Sequence, residues 1–507
     1  MFTPALWASR AAWPGCSVSA FGDPFVARGD RRGWYRGGSV SDRSPEYRPS
    51  EYRAASAHIL LNTPGVRSSV GSATRDFDAR RAKAYEEVES GLWRDWARSV
   101  KANVLSRLDE YLLQAEESLR ANGTQVHWAS SADDVYQVLR GIVEKNGVKT
   151  VVKSKSMLSE ELEVNNYLET LGVRSIETDL GEYIIQLLDE PPSHIVGPAI
   201  HKSLEDCRAL FHEQLGTPID ADPDELASAA RSALREDFLS ADLGISGGNF
   251  LAADTGTVAL IENEGNIRLT TSVPRIHVAL VGIEKVLPRL VDLAGFLQLT
   301  SRAATGQPIG LFVSLIQGPR KSEEPDGPEE VHVVFVDNGR SALYEDDVAS
   351  EALGCVRCGA CLNICPVYRQ TGGHAYGWTY PGPIGAIISP GLLGLDKAMP
   401  LPHASSLCGA CEDVCPVRIP IPELLVHWRE KAVSEGQISK GERFGIRMYA
   451  DLAERPLGYS MAASALRRVP WRAAGAALPV LNGWLQEREI PEPSSKSFRQ
   501  LWREGIE

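Results

Sequence analysis

Seven of the nine cysteines in this 507-residue chain lie in two short runs in its C-terminal third. The runs read Cys355-Val-Arg-Cys358-Gly-Ala-Cys361-Leu-Asn-Ile-Cys365-Pro366 and Cys408-Gly-Ala-Cys411-Glu-Asp-Val-Cys415-Pro416. The first has the C-x2-C-x2-C-x3-C-P spacing of bacterial ferredoxins, in which the fourth cysteine ligates the neighbouring cluster. The spacing therefore predicts a pair of iron–sulfur clusters and single-electron transfer.

A structural zinc site and a disulfide framework are the alternatives. Zinc sites usually combine two separated cysteine or histidine pairs, whereas the first run has four cysteines in 11 residues that end at a proline. Disulfide frameworks are typical of short secreted chains, and we find no secretory signal pattern in the 507 residues. Reduced thiolate ligands favour a cytoplasmic location.

The interlocked ferredoxin arrangement divides the seven cysteines into two ligand sets. The set predicted for cluster 1 is Cys355, Cys358, Cys361 and Cys415, and the set for cluster 2 is Cys365, Cys408 and Cys411.

The second run is one cysteine short of a full quartet. A fourth cysteine would stand three residues before Cys408, where the chain has Ser405. Three outcomes remain open: Ser405 or His403 ligates the fourth iron, an external ligand binds it, or the corner is empty and a 3Fe-4S cluster forms. Ser405 as an ordinary helix N-cap is an equally good interpretation.

Composition excludes several other classes of protein. Hydrophobic residues make up 43% of the chain, enough for globular cores, and the net charge of −13 with a pI near 5.4 argues against a nucleic-acid partner. No uninterrupted apolar run approaches the ~18 residues that a transmembrane helix needs.

The chain divides into five regions by pattern. Residues 1–75 contain ten arginines and no lysine with poor hydrophobic periodicity, which predicts a disordered or loosely attached extension. Residues 76–122 repeat apolar positions about every fourth residue, which predicts an amphipathic helix or helix pair. Residues 346–425 carry the cysteine runs, and residues 426–507 show helical patterns interrupted by prolines.

Residues 123–345 alternate predicted strands with predicted helices. The strands are expected at 124–128, 150–153, 194–196, 257–261 and 332–336. The helices are expected at 133–145, 203–215 and 224–239. This alternation predicts an α/β domain.

Many stretches beyond the cysteine runs resemble one bacterial family. They include Val-Lys-Ser-Lys-Ser-Met at 152–157, Asp-Glu-Pro-Pro-Ser-His-Ile at 189–195, Ala-Asp-Thr-Gly-Thr-Val at 253–258 and Gly-His-Ala-Tyr-Gly at 373–377. The chain resembles the lactate utilization protein B family, the iron–sulfur subunit of a bacterial L-lactate oxidation system. The resemblance runs from about residue 76 to the C-terminus, so residues 1–75 depart from it.

The resemblance implies a fold and partners. The α/β region would be a lactate-utilization domain, similar in fold to sugar-phosphate isomerases and coenzyme A transferases. The cysteine region would be an all-α ferredoxin module whose seven cysteines hold two 4Fe-4S clusters, followed by a helical C-terminal region. Two further proteins of the lactate utilization system would be its partners: one is cysteine-rich, and the other carries a lactate-utilization domain.

Some polar motifs outside the cysteine runs are also candidates for binding. Lys153-Ser-Lys-Ser156 follows a predicted strand, where it would hold an anion or merely cap a helix. Residues 244–249 and 254–256 would together cradle a small carboxylate or phosphate, or form two ordinary turns. Glu262 and Glu264 are candidate acid–base groups or part of an acidic turn, and His374 is expected to be a packed histidine.

The sequence thus favours an electron-transfer subunit of an L-lactate-oxidising system, with unknown catalytic residues. A self-contained organic-acid oxidoreductase is one alternative, and an iron–sulfur scaffold or redox sensor is another.

Overall fold

A six-stranded parallel sheet lies at the centre of the α/β region, in the order β1-β10-β7-β4-β2-β3. The computed structural model describes residues 48–438, 440–467 and 494–505. The strands of this sheet are Gln125–Ala129 (β1), Thr150–Lys153 (β2), Arg174–Glu177 (β3), Leu243–Ser246 (β4), Ile276–Gly282 (β7) and Glu330–Val336 (β10). Because every pair is parallel, the carboxyl ends of the strands meet at one edge.

A smaller four-stranded sheet, in the order β8-β5-β6-β9, packs beside the first. Its strands are Phe250–Ala252 (β5), Thr257–Glu262 (β6), Val286–Leu287 (β8) and Phe312–Ile316 (β9). The turn between β5 and β6 packs against the helix Leu108–Ala121. A Cβ atom at Gly256, which has φ +60°, would lie 2.6 Å from the backbone nitrogen of Leu119.

The predicted helices of this region match the structure closely. They are observed at Ala132–Asn146, Leu204–Leu215 and Pro223–Ser240, where Ser131, Ser203 and Asp222 accept capping hydrogen bonds. Further helices are Met157–Glu161, Val164–Thr170, Leu180–Leu187, Asn266–Ser272, Leu293–Thr305 and Arg340–Tyr344.

One predicted strand is wrong. Residues 194–196 form a loop, in which the backbone amides of Val196 and Gly197 donate to His194 Nδ1 at 3.0 and 3.1 Å. His194 Nε2 lies 3.0 Å from Oδ1 of Asn363, inside the first cysteine run. The apolar residues of this loop therefore face the cysteine region rather than a sheet.

The prediction of a disordered extension is wrong for residues 48–75, and residues 1–47 lie outside the described residues. The chain forms helices at Tyr52–Asn62 and Pro64–Glu86. The ring of Tyr52 packs against Tyr376, with ring centroids 5.0 Å apart. The buried positions of the second helix form two groups, 70–74 and 84–85, and three of the five residues are glycine, threonine or alanine, so the apolar periodicity of the sequence is weak here.

Residues 76–122 complete three helices rather than the one or two that the periodicity predicts. Pro64–Glu86 ends there, and Ser90–Ser106 and Leu108–Ala121 follow. The periodic position Leu92 is 64% exposed, whereas Val104, Leu108 and Leu112 are buried as expected.

Residues 346–425, which we call the cysteine module, contain helices and 3-10 turns and no strand. The helices of the module are Ala360–Ile364, Tyr368–Thr371, Gly382–Leu393, Leu395–Ala398 and Ala410–Asp413, and Ile421–Ser434 begins at its end. Lys440–Ala453, Pro456–Leu466 and Phe498–Glu504 follow. Pro456 begins a helix rather than interrupting one, while Pro470, Pro479 and Pro491 lie outside the described residues. Among the described residues, no helix has the length and apolar character to cross a membrane.

Candidate iron–sulfur site and the adjacent cavity

The structure brings the four cysteines predicted for cluster 1 around one small cavity. Its lining includes Cys355, Cys358, Cys361 and Cys415 together with apolar residues such as Ile419. Three of these cysteines are buried, and Cys355 is partly buried. Such a shell excludes water, which affects the reduction potential of any cluster that it encloses.

The three remaining cysteines form a second group. Cys365 and Cys411 interact electrostatically with each other and with Cys408. Cys411 also interacts with Cys361 of the first group, so the two groups adjoin. Cys408 is exposed, whereas Cys365 and Cys411 are buried. Cys408 is therefore the most exposed of the seven clustered cysteines, and Cys355 is the next.

Burial makes the thiolate form of these cysteines unfavourable unless a metal is bound. It raises the pKa of Cys411 to about 12 and that of Cys415 to about 11, and it raises the pKa of Cys358 further still. Thiols with such pKa values stay protonated at neutral pH, whereas a coordinated metal ion deprotonates them. The donor set of seven clustered thiols fits iron–sulfur clusters.

The two cysteine runs repeat the same backbone conformation. Arg357 precedes the second cysteine of its run with φ 60°, and Leu407 precedes Cys408 with φ 56°. The glycines that follow these cysteines, Gly359 and Gly409, have φ values of 75° and 83°. Left-handed conformations are unusual for arginine and leucine, so the match indicates that both loops are shaped for the same task.

Ser405 occupies the position in the second loop that Cys355 occupies in the first. The backbone amide of Arg357 donates to Cys355 Sγ at 3.3 Å, and the amide of Leu407 donates to Ser405 Oγ at 3.1 Å. The N-cap interpretation of Ser405 is wrong, because Gly409 is the N-cap of the following helix, Ala410–Asp413.

Cations surround the first group of thiols. Arg94 Nε donates to the carbonyl oxygen of Cys415 at 2.8 Å, and Lys285 Nζ donates to the carbonyl oxygen of Cys355 at 3.4 Å. These positive charges offset the negative charge that four thiolates would bring into a buried site.

A buried charge network joins the α/β region to the cysteine module. Arg340 donates two hydrogen bonds to the carboxylate of Glu161, at 2.9 and 2.8 Å, and a third to Glu284 at 2.8 Å. Tyr380 of the module donates to Glu161 at 2.6 Å, and its ring stacks under Arg357, whose guanidinium carbon lies 4.8 Å from the ring centroid. Every side chain of the network is almost fully buried.

A cavity of about 260 Å³ opens at the carboxyl edge of the large sheet, next to the first thiol group. The loops after four parallel strands contribute to it: Lys155 after β2, Asn249 after β4, Lys285 after β7 and Arg340 after β10. Cys358 lines both this cavity and the small cavity of the first thiol group. In open α/β sheets, ligands bind at this edge.

The structure separates the two lysines of the predicted anion motif. Lys153 is fully buried and pairs with Glu160 at 2.8 Å and Glu177 at 2.7 Å, so it is not available to a ligand. Lys155 lines the cavity, and its Nζ donates to the carbonyl oxygen of Val196 at 2.7 Å. Ser156 caps the following helix.

The predicted cradle is only partly assembled. Gly247 and Asn249 line the cavity, as do Glu262 and Glu264. Asp254 does not belong to its lining; it accepts a hydrogen bond from the amide of Leu290 at 2.8 Å. The prediction that 244–249 and 254–256 form one site is therefore wrong, because β5 carries the second turn away.

His374 packs against other side chains. Its Nε2 lies 2.9 Å from the carbonyl oxygen of Pro191, and its ring contacts His201 with centroids 4.5 Å apart. His201 in turn binds Glu190 at 2.8 Å, and Lys202 binds the same carboxylate at 2.5 Å. The ammonium group already neutralises this carboxylate, which disfavours a cation there.

Comparison with known proteins covers nearly the whole described chain. Three family models match in succession: a LUD domain over residues 112–336, a 4Fe-4S dicluster domain over 351–419 and the C-terminal model of lactate utilisation protein B over 429–506. Lactate utilization protein B of Bacillus pumilus (strain SAFR-032) is 42% identical over 446 residues, which cover 86% of this chain and 94% of that relative. The chain belongs to the lactate utilization protein B family.

Another relative and one solved structure are also similar to this member of the lactate utilization protein B family. An uncharacterized electron transport protein of Escherichia coli (strain K12), YkgF, is 40% identical, covering 87% of this chain and 94% of that relative. Among solved structures, a DUF162 family protein of Deinococcus radiodurans is 12% identical with a TM-score of 0.27, over 45% of this chain and 98% of that chain.

The family matches coincide with the sites described above. The dicluster match contains all seven clustered cysteines and Ser405, and the LUD match contains all ten strands. The family resemblance predicted from the sequence is confirmed, and so is the expectation of iron–sulfur chemistry. Sequence reasoning missed the cavity residues Thr300 and Ser301, because no motif surrounds them. It also missed Arg357, because the cysteine run that contains it points to cluster ligation rather than to a cavity.

Proposed function

We propose that this chain is the iron–sulfur electron-transfer subunit of a cytoplasmic L-lactate-oxidising system. It would carry electrons that are released as lactate becomes pyruvate. The observation that supports this proposal most directly is the pair of adjoining thiol groups within a 4Fe-4S dicluster match. The names of the relatives, which refer to lactate utilization and to electron transport, support the substrate and the role.

The proposal includes two four-iron clusters with distinct ligand sets. Cluster 1 would be held by Cys355, Cys358, Cys361 and Cys415. Cluster 2 would be held by Cys365, Cys408 and Cys411, with Ser405 as the fourth ligand. When bound, such clusters supply one-electron redox chemistry; the chain itself supplies thiolates, N–H···S hydrogen bonds and a water-poor surround.

We infer the route by which electrons enter or leave the chain from the exposure of its clustered cysteines. No cysteine of the first thiol group is exposed beyond the partly buried Cys355, whereas Cys408 of the second is exposed. A protein partner would therefore exchange electrons through cluster 2. The partners proposed are the cysteine-rich protein of the lactate utilization system and its second protein with a lactate-utilization domain. Exposed apolar residues on the C-terminal helices, among them Phe444 and Tyr449, are suited to a contact with another protein.

Anaerobic mixing with L-lactate tests this role. With both partner proteins present, we expect L-lactate to reduce the clusters of this chain, seen as the paramagnetic resonance signal of reduced iron–sulfur clusters. Without partners, we expect no reduction by lactate but full reduction by dithionite. Lactate-driven reduction of the isolated chain would instead support the self-contained oxidoreductase. Clusters that stay oxidised with lactate and all partners would support the scaffold or sensor.

Substitution of Ser405 tests the fourth ligand of cluster 2. We expect Ser405→Ala to convert most of cluster 2 to the three-iron form, with its characteristic resonance signal in the oxidised protein. Ser405→Cys should keep four irons and shift the spectrum toward that of cluster 1, because the loop already has the conformation of the first one. Ser406→Ala, at an exposed neighbouring residue, is the control. A Ser405→Ala spectrum identical to that of the unaltered protein would rule out serine ligation.

A further inference from the structure

The cavity at the carboxyl edge of the large sheet has hydrogen-bond donors that nothing in the described residues satisfies. Arg357 Nη1, Thr300 Oγ1 and Ser301 Oγ are buried without a hydrogen-bond partner there, and all three residues line the cavity. The Arg357 side chain is 8% exposed, and Thr300 and Ser301 are 8% and 5% exposed. Leaving such groups buried and unpaired is unfavourable, so a ligand that accepts hydrogen bonds would stabilise them.

The acceptors of the same cavity are already satisfied. Glu262 accepts from the backbone amides of Ile267 and Arg268 at 2.7 and 3.0 Å. Glu284 is paired with Arg340. The unpaired groups are a guanidinium nitrogen, which can only donate, and two hydroxyls, which can donate or accept, so a ligand that carries acceptors can bond all three.

Two further carboxylates at the cavity also have donors. Glu264 accepts from the amide of Leu180 at 3.1 Å, and Asp179 accepts from the amide of Glu182 at 3.1 Å. Both carboxylates line the cavity, as Lys155 does. All three residues are distant in sequence from the cysteine loop. Arg357 and Lys285 both contact the cysteine module, which gives that end of the cavity two cationic side chains.

The volume and the position of the cavity restrict the class of ligand that it can bind. A cavity of about 260 Å³ is at the small end of ligand pockets, so it suits a molecule of few heavy atoms rather than a nucleotide. Arg357 Nη2 already donates to Glu284 Oε1 at 3.4 Å, and its unpaired Nη1 can donate to a carboxylate oxygen of the ligand. The hydroxyl groups of Thr300 and Ser301 can bond a second oxygen on the ligand.

We infer that this cavity binds a small organic acid of the 2-hydroxy or 2-oxo class, with its carboxylate on Arg357 and its second oxygen on Thr300 and Ser301. The inference deepens the proposed function and depends on it for the identity of the acid, but binding does not require the clusters to be redox-active. A bound acid would lie beside Cys358, which lines both the cavity and the cluster 1 site.

Calorimetric titration of the anaerobic, cluster-loaded full chain tests this site. We expect L-lactate or pyruvate to bind saturably at one site per chain, and acetate to bind more weakly because it lacks the second oxygen. Inorganic phosphate serves as a competing anion of different shape. The Thr300→Val/Ser301→Ala double variant should weaken binding of L-lactate or pyruvate several-fold, and Arg357→Gln should weaken it at least about tenfold, which is a loss of 1.4 kcal/mol.

The controls separate binding from folding and from electron transfer. Iron and sulfide contents should be unchanged in the double variant, which leaves the cysteine loop intact, and Lys145→Gln on the surface should bind like the unaltered chain. Absence of carboxylate binding to protein with a full iron content would overturn the inference, as would tighter binding of phosphate or unchanged affinity in the double variant. If the chain binds L-lactate or pyruvate but its clusters never accept electrons, the proposed function is wrong and the inferred binding site still stands.

Discussion

Replacing Cys358 with alanine should remove cluster 1 and abolish electron transfer through the chain. Cys358 is buried and lines the small cavity of the first thiol group, and alanine, unlike serine, offers no atom that could ligate iron in place of the thiolate. We expect the bound iron to fall by roughly half, since one of two clusters is lost. Iron and sulfide analysis and the resonance spectrum of the dithionite-reduced protein measure both effects.

Two further variants make this experiment specific. Cys408→Ser should alter only the cluster 2 spectrum, because Cys408 belongs to the second group. Cys207→Ser, on the helix Leu204–Leu215 far from both runs in sequence, should leave iron content and spectrum unchanged. Retention of the full iron content by Cys358→Ala would show that the ligand sets are assigned incorrectly.

Replacing Arg340 with methionine should cause the largest loss of stability of any single change outside the cysteines. The substitution leaves Glu161 and Glu284 buried without their main cation, and breaking a buried ion pair in this way costs about 3–5 kcal/mol. Burial alone would raise the pKa of Glu284, but Arg340, Lys285 and Arg357 together lower it to about 2. Without Arg340 the pKa should rise, so the loss of stability should shrink as the pH falls from neutral.

Denaturant unfolding of the anaerobic, cluster-loaded protein measures this loss. The matched control is Arg98→Ala, which removes an exposed ion pair with Glu351 at 3.1 Å and should change the free energy of unfolding by less than about 1 kcal/mol. A Glu161→Gln/Arg340→Met double variant should recover part of the stability, because it also removes one unpaired charge. Equal stability of Arg340→Met and the control would contradict the assigned role of the network.

The sequence predicts the cysteine chemistry well because cluster ligation depends on local spacing. Four thiols in 11 residues leave little freedom, and the structure places Cys355, Cys358 and Cys361 around one cavity. The partnership with Cys415 depends on a contact across 54 residues, yet the ferredoxin pattern already contains it.

The central strand β7 and its neighbour β4 were missed for a physical reason. Both are buried on both faces, so they show no alternation of apolar and polar residues. β7 also contains His277, whose Nε2 lies 2.8 Å from the hydroxyl of Ser246 on β4. Hydrophobic periodicity does not predict a strand around such a polar pair, because serine and histidine each lower the apolar character of the segment that contains them.

The cavity could not be found from the sequence because its residues come from separate segments. Lys155 follows a strand, Arg357 precedes a cysteine, and Ser301 lies on a helix. Only the fold brings them together. At residues 194–196 the sequence predicts a strand that does not form. The apolar side chains of this loop are typical of a strand, but they cover the cysteine module.

The two thiol groups differ in their exposure, so the clusters proposed for them would have different classes of neighbour. Cys408 is open to solvent, so a macromolecule can touch the second group directly. Cys358 is shielded from macromolecules but borders a chamber large enough for a metabolite. A protein partner would thus meet the second thiol group, and a small bound molecule would meet the first.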